Sequence, residues 1–226
     1  MTTAVASTRR VNVTFHGIGD APRSLDRGEA AVWITTRHFT RALDAVAGRS
    51  DVRLYFDDGN RSDVTVALPE LQRRGLRATF FVVADRVGRP DFLSAADIRF
   101  LAAEGMTLGC HGMSHRPWRR LRSDQLRDEL LTSRSRLEDI LGLEVSDAAC
   151  PFGAYDRRTL RSLRRFGYER VFTSDMGWAR ADQWLQARNT VRAGAHPRHL
   201  DDLLPAAPSL SRVLTGQIRM VAKRWR

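Results

Sequence analysis

Val52-Arg53-Leu54-Tyr55-Phe56-Asp57-Asp58-Gly59 is a short run of strand-forming residues that ends abruptly in two carboxylates and a glycine. The apolar part, Val52–Phe56, reads as a strand. Two adjacent carboxylates repel one another, so they call for a cation between or beside them. Gly59 lets the backbone turn sharply after the strand. Alone, an Asp-Asp-Gly turn is as compatible with an ordinary loop as with a site.

Working outward, strand-like and helix-like segments alternate. On the N-terminal side, Val11–Phe15 alternates like a strand, and a polar loop with Gly and Pro (Gly17–Arg27) follows. Thr36–Val46 spaces Phe39, Leu43 and Val46 for one helical face. On the C-terminal side, Asp63–Arg74 reads as a helix and Arg77–Val83 as a strand. Ser94 is an N-cap for a helix reaching Gly105, and Met106–Cys110 is a short strand leading to His111. Ser123 caps a long helix to about Gly142, with Leu126, Leu130, Leu137 and Leu141 as its inward stripe. Asp147–Cys150, Arg170–Thr173 and Ala187–Arg192 read as strands and Arg157–Phe166 as a helix, with helical patterns from His199 onward. This order predicts a mainly parallel sheet covered by helices. The first strand is followed by no Gly-rich phosphate loop, which argues against a nucleotide-binding open sheet. No repeat or linker divides the chain, so the expectation is an α/β fold, one barrel-like domain over residues 1–226.

Composition narrows the class. The chain has 226 residues, 42% hydrophobic and 28% charged, ordinary for a globular protein. No apolar run is long enough to span a membrane. Met1–Arg10 lacks the shape of a signal peptide, so a cytoplasmic location is expected, with membrane association as a variant. Cys110 and Cys150 are too few for a disulfide framework and read as small buried hydrophobes at strand ends. The formal charge of +11 asks for a partner of opposite sign. Its arginines are scattered along helix faces, without zinc-finger spacing or an RNA-reader motif, which argues against nucleic acid. Ser209–Arg226 carries five basic groups and no acid, with Leu210, Val213, Leu214, Ile218 and Val221 on one helical face. Such a helix either closes a fold or lies on an anionic membrane surface.

Two further strand ends carry unusual groups. In His111-Gly112-Met113-Ser114-His115, two histidines four apart can share one metal, and imidazole favours zinc or another late first-row ion. In Cys150-Pro151-Phe152-Gly153-Ala154-Tyr155-Asp156, Pro151 and Gly153 fix a turn between strand and helix. Backbone N–H groups there can point into a site mouth, as an oxyanion requires.

Taken together, in this order and at these separations, the three segments resemble the polysaccharide deacetylase (NodB-homology, carbohydrate esterase) family over about residues 50–178. Tyr55-Phe56-Asp57-Asp58-Gly59 matches that family's Thr-Phe-Asp-Asp-Gly. His111 and His115 match its His-(Ser/Thr)-x-x-His, with Gly112 in the second place. Pro151, Phe152 and Gly153 match its Arg-x-Pro-(Tyr/Phe)-Gly. The resemblance implies a distorted (β/α) barrel of about seven or eight strands. It implies that Asp58, His111 and His115 hold a divalent metal, zinc first and cobalt or nickel next. It also implies that Asp57 is the general base in removing N-acetyl groups from a carbohydrate.

The match has gaps. The family's motif arginine, which holds the base, is Ala149 here, and Arg188 is the candidate to supply a guanidinium from elsewhere. The family's acid histidine has its nearest counterpart in His196, with His199 as a second choice. Trp178 resembles an aromatic that lines the sugar pocket, or else packs in the core. His16 ends the first strand where it could border the site. An O-acetyl esterase, a small-amide amidase, or a non-catalytic relative binding acidic polysaccharide or membrane are the alternatives.

Overall fold

The computed structural model describes residues 9–194 and Lys223. Among the described residues, nine strands form one sheet: β1 Arg9–Phe15, β2 Val52–Asp58, β3 Ala78–Val82, β4 Thr107–Cys110, β5 Asp147–Ala149, β6 Arg170–Thr173, β7 Ala179–Arg180, β8 Leu185–Ala187 and β9 Asn189–Thr190. Neighbours β1 through β6 pair in parallel in sequence order, and β8 adds in parallel to β6. One residue later, β9 pairs in parallel with β1 through Val13↔Asn189 and Thr14↔Thr190. A single stretch, residues 185–190, therefore reaches both edges and brings the sheet round into a nearly closed barrel. Only β7, antiparallel to β1, departs from the parallel pattern.

The helices are α1 Thr36–Val46, α2 Leu68–Arg73, α3 Ala95–Ala103, α4 Ser123–Arg127, α5 Ser133–Leu141 and α6 Arg157–Arg165. Wider helical turns lead into α2 (Asp63–Ala67) and join α4 to α5 (Asp128–Thr132). Ser94 caps α3 as its sequence suggests, accepting from the Asp97 N–H while Asp97 accepts from the Ser94 N–H. Ser123 is not a cap but the first helical residue, and the Gln125 side chain accepts the Arg122 N–H instead. Of the long stripe, Leu126, Leu130 and Leu137 are fully buried, while Leu141 lies at the margin.

Strand alternation creates two cores. On β1, β2 and β3, Phe15, Phe56 and Phe80 face the helices, and their rings stack in turn with centroids 5.3 and 4.6 Å apart. Their neighbours Tyr55, Phe81 and Phe172 point to the other side and fill the barrel interior with Ala149. At one level of that interior, Tyr55 donates to Asn12 at 3.3 Å and Asn12 donates to Gln186 at 3.1 Å. Burial pushes the Tyr55 phenol up to about 12, so it stays a neutral donor. The expected strand Ala187–Arg192 is in fact two short strands that break at Arg188, because the chain changes partner from β6 to β1 there. Barrel interiors fill by size, and Gly109 on β4 provides the room for Phe81. A methyl group at Gly109 would fall 2.4 Å from the Phe81 ring and 3.2 Å from the Asp147 carbonyl oxygen. Gly109→Ala is therefore expected to cost about 1–3 kcal/mol of stability, read as a lower urea midpoint with an unchanged m-value.

Candidate active site

All three motif segments lie where parallel strands end, at one mouth of the barrel. A cavity of about 300 Å³ opens there, and its wall includes His16, Asp57, Asp58, His111, His115 and Phe152. Consecutive strand residues normally face opposite ways. Asp57 and Asp58 nevertheless share the cavity, because Asp58 has left extended geometry with φ 80°. Gly59 follows at φ 68° and accepts the Leu93 N–H at 2.9 Å, fixing the turn.

Asp57 is held by Arg188. The guanidinium donates through Nη1 to Oδ1 and through Nη2 to Oδ2, both at 2.7 Å, and neither residue is meaningfully exposed. Arg188 rises from the β8–β9 junction into the barrel interior, 5.1 to 5.9 Å from the centroids of Phe81, Tyr55 and Phe172. It occupies the interior that the small Ala149 leaves open. Burial opposes a charge on Asp57, but Arg188 leads the cations that outweigh it and hold its carboxyl below the usual range. His16 stands at the rim, its Nε2 3.9 Å from Asp57 Oδ2.

Asp58, His111 and His115 bring their ligand atoms within 4.8 Å of one another. Asp58 Oδ1 lies 2.9 Å from His115 Nε2 and 3.6 Å from His111 Nε2, close to the roughly 3.3 Å between ligands of one tetrahedral zinc. The 2.9 Å approach is not aligned as a hydrogen bond, and Asp58 Oδ1 is buried without a hydrogen-bond partner. An orphaned carboxylate oxygen aimed with two imidazoles at a common point fits a cation. Burial disfavours the charge on Asp58, yet the adjacent His115, with His16 and His111, holds its carboxyl below the ordinary range. Burial drops the His111 pKa to about 4, so the ring is neutral at physiological pH, as a ligand must be. Its Nδ1 sits 2.8 Å from the Ala149 carbonyl, which sets the tautomer and turns Nε2 toward Asp58.

The histidine pair is not on a helix. Residues 111–115 form an open loop with Gly112 at φ 84° and His115 at φ 54°. The loop is shaped by Glu129, which the sequence reading did not single out. The buried Glu129 carboxylate accepts the Met113 N–H at 2.9 Å, the Ser114 hydroxyl at 2.6 Å and the Trp118 indole N–H at 3.3 Å. Gly112 stands where the family has Ser or Thr, and the reason is steric: a Cβ there would fall 2.5 Å from Glu129 Oε2. Arg86 was also missed. It reaches Asp58 Oδ1 at 3.6 Å and His115 Nδ1 at 3.3 Å. Asp63 is buried with neither carboxyl oxygen hydrogen-bonded, and burial beside Asp58 and Asp57 pushes its pKa well up. No spacing signal distinguishes Glu129, Arg86 or Asp63 from surface charges of the same helices and turns.

The third segment forms a tight turn, Pro151–Gly153, with Phe152 at φ 57°. Pro151 has no N–H, and the Gly153 N–H is taken by the Cys150 carbonyl at 2.9 Å, leaving the Phe152 N–H as the one candidate donor of the three. The exposed Phe152 ring lies 4.6 Å from that of His115. Trp178 does not line the cavity; it packs, partly buried, against the main core, so the sugar-lining expectation gives way to the packing one. Cys110 and Cys150 are both free and buried, as expected. His196, His199 and the basic segment 209–226 lie outside the described residues, apart from Lys223. That ammonium donates to the Gly153 carbonyl at 2.9 Å and pairs with the buried Asp175 carboxylate. Among the described residues no helix is long and apolar enough to cross a membrane.

Two outcomes follow from these contacts. Arg188→Met leaves Asp57 buried and unpaired and is expected to cost about 3–5 kcal/mol, while Arg188→Met/Asp57→Leu recovers much of that loss in a double-mutant cycle by urea unfolding. Gly112→Ser, though it restores the residue usual at that place, is expected to destabilise by about 1–3 kcal/mol in thermal and chemical unfolding, because the backbone is left-handed and Glu129 fills the space.

The geometry agrees with known proteins. The family profile described as "Polysaccharide deacetylase" matches residues 45–171. The chain is 26% identical over 141 residues (62% of this chain, 50% of the relative) to Bacillus subtilis YxkH, which carries a provisional polysaccharide deacetylase name. It is 24% identical over 130 residues (57% of this chain, 46% of the relative) to a peptidoglycan-N-acetylglucosamine deacetylase of Bacillus cereus. It thus spans about half the length of these relatives. The fold superposes on the Streptococcus pyogenes deacetylase PplD with a TM-score of 0.77 at 20% identity, covering 89% of this chain and 100% of that one. With more than half of its residues matched by the profile and its barrel shared with a solved deacetylase, the chain belongs to the polysaccharide deacetylase family.

Proposed function

We propose that this chain is a metal-dependent hydrolase that removes N-acetyl groups from a sugar of a polysaccharide or glycolipid. The observation that carries the reading is the pairing, in one cavity, of an arginine-held Asp57 with the Asp58–His111–His115 group. A binding module has no use for both. The family name and the peptidoglycan-N-acetylglucosamine deacetylase among the relatives support an acetamido sugar as the substrate.

Asp58, His111 and His115 would hold a zinc-like ion, which when bound acidifies water and polarises a carbonyl. Asp57 is the general base. Arg188 holds both of its oxygens, each with a lone pair to spare, and keeps it ionised in a buried place. A water oxygen attacks the acetamide carbon as Asp57 takes its proton. The Phe152 N–H faces the developing oxyanion, where a bound ion would add positive charge. Collapse breaks the C–N bond, and a proton delivered to nitrogen releases the amine and acetate; His196 is assigned that delivery by the family resemblance. The Arg188 contact also weighs against a non-catalytic reading, since the guanidinium absent at Ala149 comes from the β8–β9 junction.

The test begins with elemental analysis for zinc, cobalt and nickel. About one ion per wild-type chain is expected, and none in His111→Ala/His115→Ala. Acetate release from N-acetylglucosamine oligosaccharides is expected to cease with chelator and to fall at least about a hundredfold in Arg188→Ala. Equal metal in wild type and double variant would sink the hydrolase reading, and unaltered turnover in Arg188→Ala would remove Arg188 from it.

A further inference from the structure

Beside the catalytic cavity lies a second one of about 320 Å³, which shares Asp26 and Arg86 with it. Its wall carries three arginines, Arg23, Arg86 and Arg89, gathered round Phe92. The Arg23 and Arg86 guanidiniums lie 4.7 and 4.9 Å from the Phe92 ring centroid, which fixes their planes. Arg23 is held further by a two-pronged contact with Glu29, at 2.8 and 2.5 Å. Arg86 Nη1 is turned to the catalytic side, 3.6 Å from Asp58 Oδ1, and Arg23 Nε is buried. Arg89 is exposed on the wall, and among the described residues no carboxylate is recorded against it.

The acids nearby are largely spoken for. Asp85 pairs with Arg136 at 2.9 Å, and Glu29 is neutralised by Arg23. Asp26 stands at the rim with its side chain 76% exposed and meets Arg86 only at 3.4 Å. The mouth of the catalytic cavity adds Arg27 and Arg192, both exposed. An exposed guanidinium without a recorded carboxylate, Arg89, set beside two oriented arginines, suits a carboxylate or phosphate, which it can grip in two places. A neutral sugar hydroxyl would leave the Arg89 charge uncompensated.

We propose that this second cavity is a subsite for an oxyanion, a carboxylate or phosphate, borne by the substrate next to the N-acetylated sugar. Arg86 joins the two cavities, touching His115 and Asp58 on one side and Asp26 and Phe92 on the other. The anion is thus read at the distance of one neighbouring residue or substituent. This specificity rests on the deacetylase reading, and it gives the +11 net charge a local purpose at the site mouth.

The test is equilibrium binding to the metal-loaded protein by titration calorimetry at fixed ionic strength. The probes are an N-acetylglucosamine–glucuronate disaccharide, N-acetylglucosamine 1-phosphate, and the neutral N-acetylglucosamine disaccharide. The anionic probes are expected to bind at least about tenfold tighter than the neutral one, and Arg89→Gln should remove most of that preference. Arg161→Gln, on the exposed face of α6, removes the same charge elsewhere and should retain the preference. The carboxylate and phosphate probes separate the two sources of the anion. No preference in the wild type, or an equal loss in both variants, would overturn the proposal. Acetate release followed on the same samples scores the deacetylase reading separately, because an absence of acetate would sink that reading without touching the binding ratio.

Discussion

The site depends on one buried ion pair, Arg188 with Asp57. Two charges withdrawn from water inside a barrel are expensive unless each fully satisfies the other. Here the fork of the guanidinium meets both carboxylate oxygens, and aromatic rings surround its plane. Several features of the fold then find a common cause. Ala149 shares the interior cluster with the rings around the guanidinium, and Gly109 is bare so that Phe81 can lie beside it. The last strand breaks at the residue that must send its side chain inward, and that break lets the chain pair with β6 on one side and β1 on the other. Closure of the barrel and placement of the base are one structural event.

Around that pair, the cavity gathers backbone conformations that side-chain-bearing residues seldom adopt. Asp58, His115 and Phe152 all have positive φ, and all three face the same space. Each costs of the order of a kcal/mol or more and persists only where surrounding contacts enforce it. For Asp58 the enforcement comes from the Gly59 turn pinned to Leu93, and for the histidine loop it comes from Glu129 beneath it. The two aspartates illustrate how environment divides labour between identical groups. Asp57 spends its oxygens on a guanidinium, whereas Asp58 keeps one oxygen unclaimed and directed at two imidazoles.

The positive charge of the chain also acquires a geography. Several surface arginines pair with neighbouring acids, as Arg122 does with Asp124 and Arg180 with Asp182, and such exposed pairs contribute little. At the barrel mouth, Arg23 and Arg86 are ordered by the Phe92 ring.

The sequence by itself determined the alternation of strands and helices, and with it the barrel, because burial on both faces leaves a periodicity that local chemistry can express. It also exposed Asp57, Asp58, His111 and His115, since unusual polar groups immediately after apolar strands have few ordinary explanations. Local pattern left open the left-handed backbone at Gly112 and His115 and the choice between cavity and core for Trp178, because neither is written in spacing. Arg188 could be suspected only from what was absent at Ala149. Its contact spans 131 residues and depends on where the barrel closes. Glu129, Arg86 and the arginine pocket around Phe92 were wholly tertiary. Each is a common charged residue whose role comes from neighbours brought together by packing, and no local periodicity encodes that.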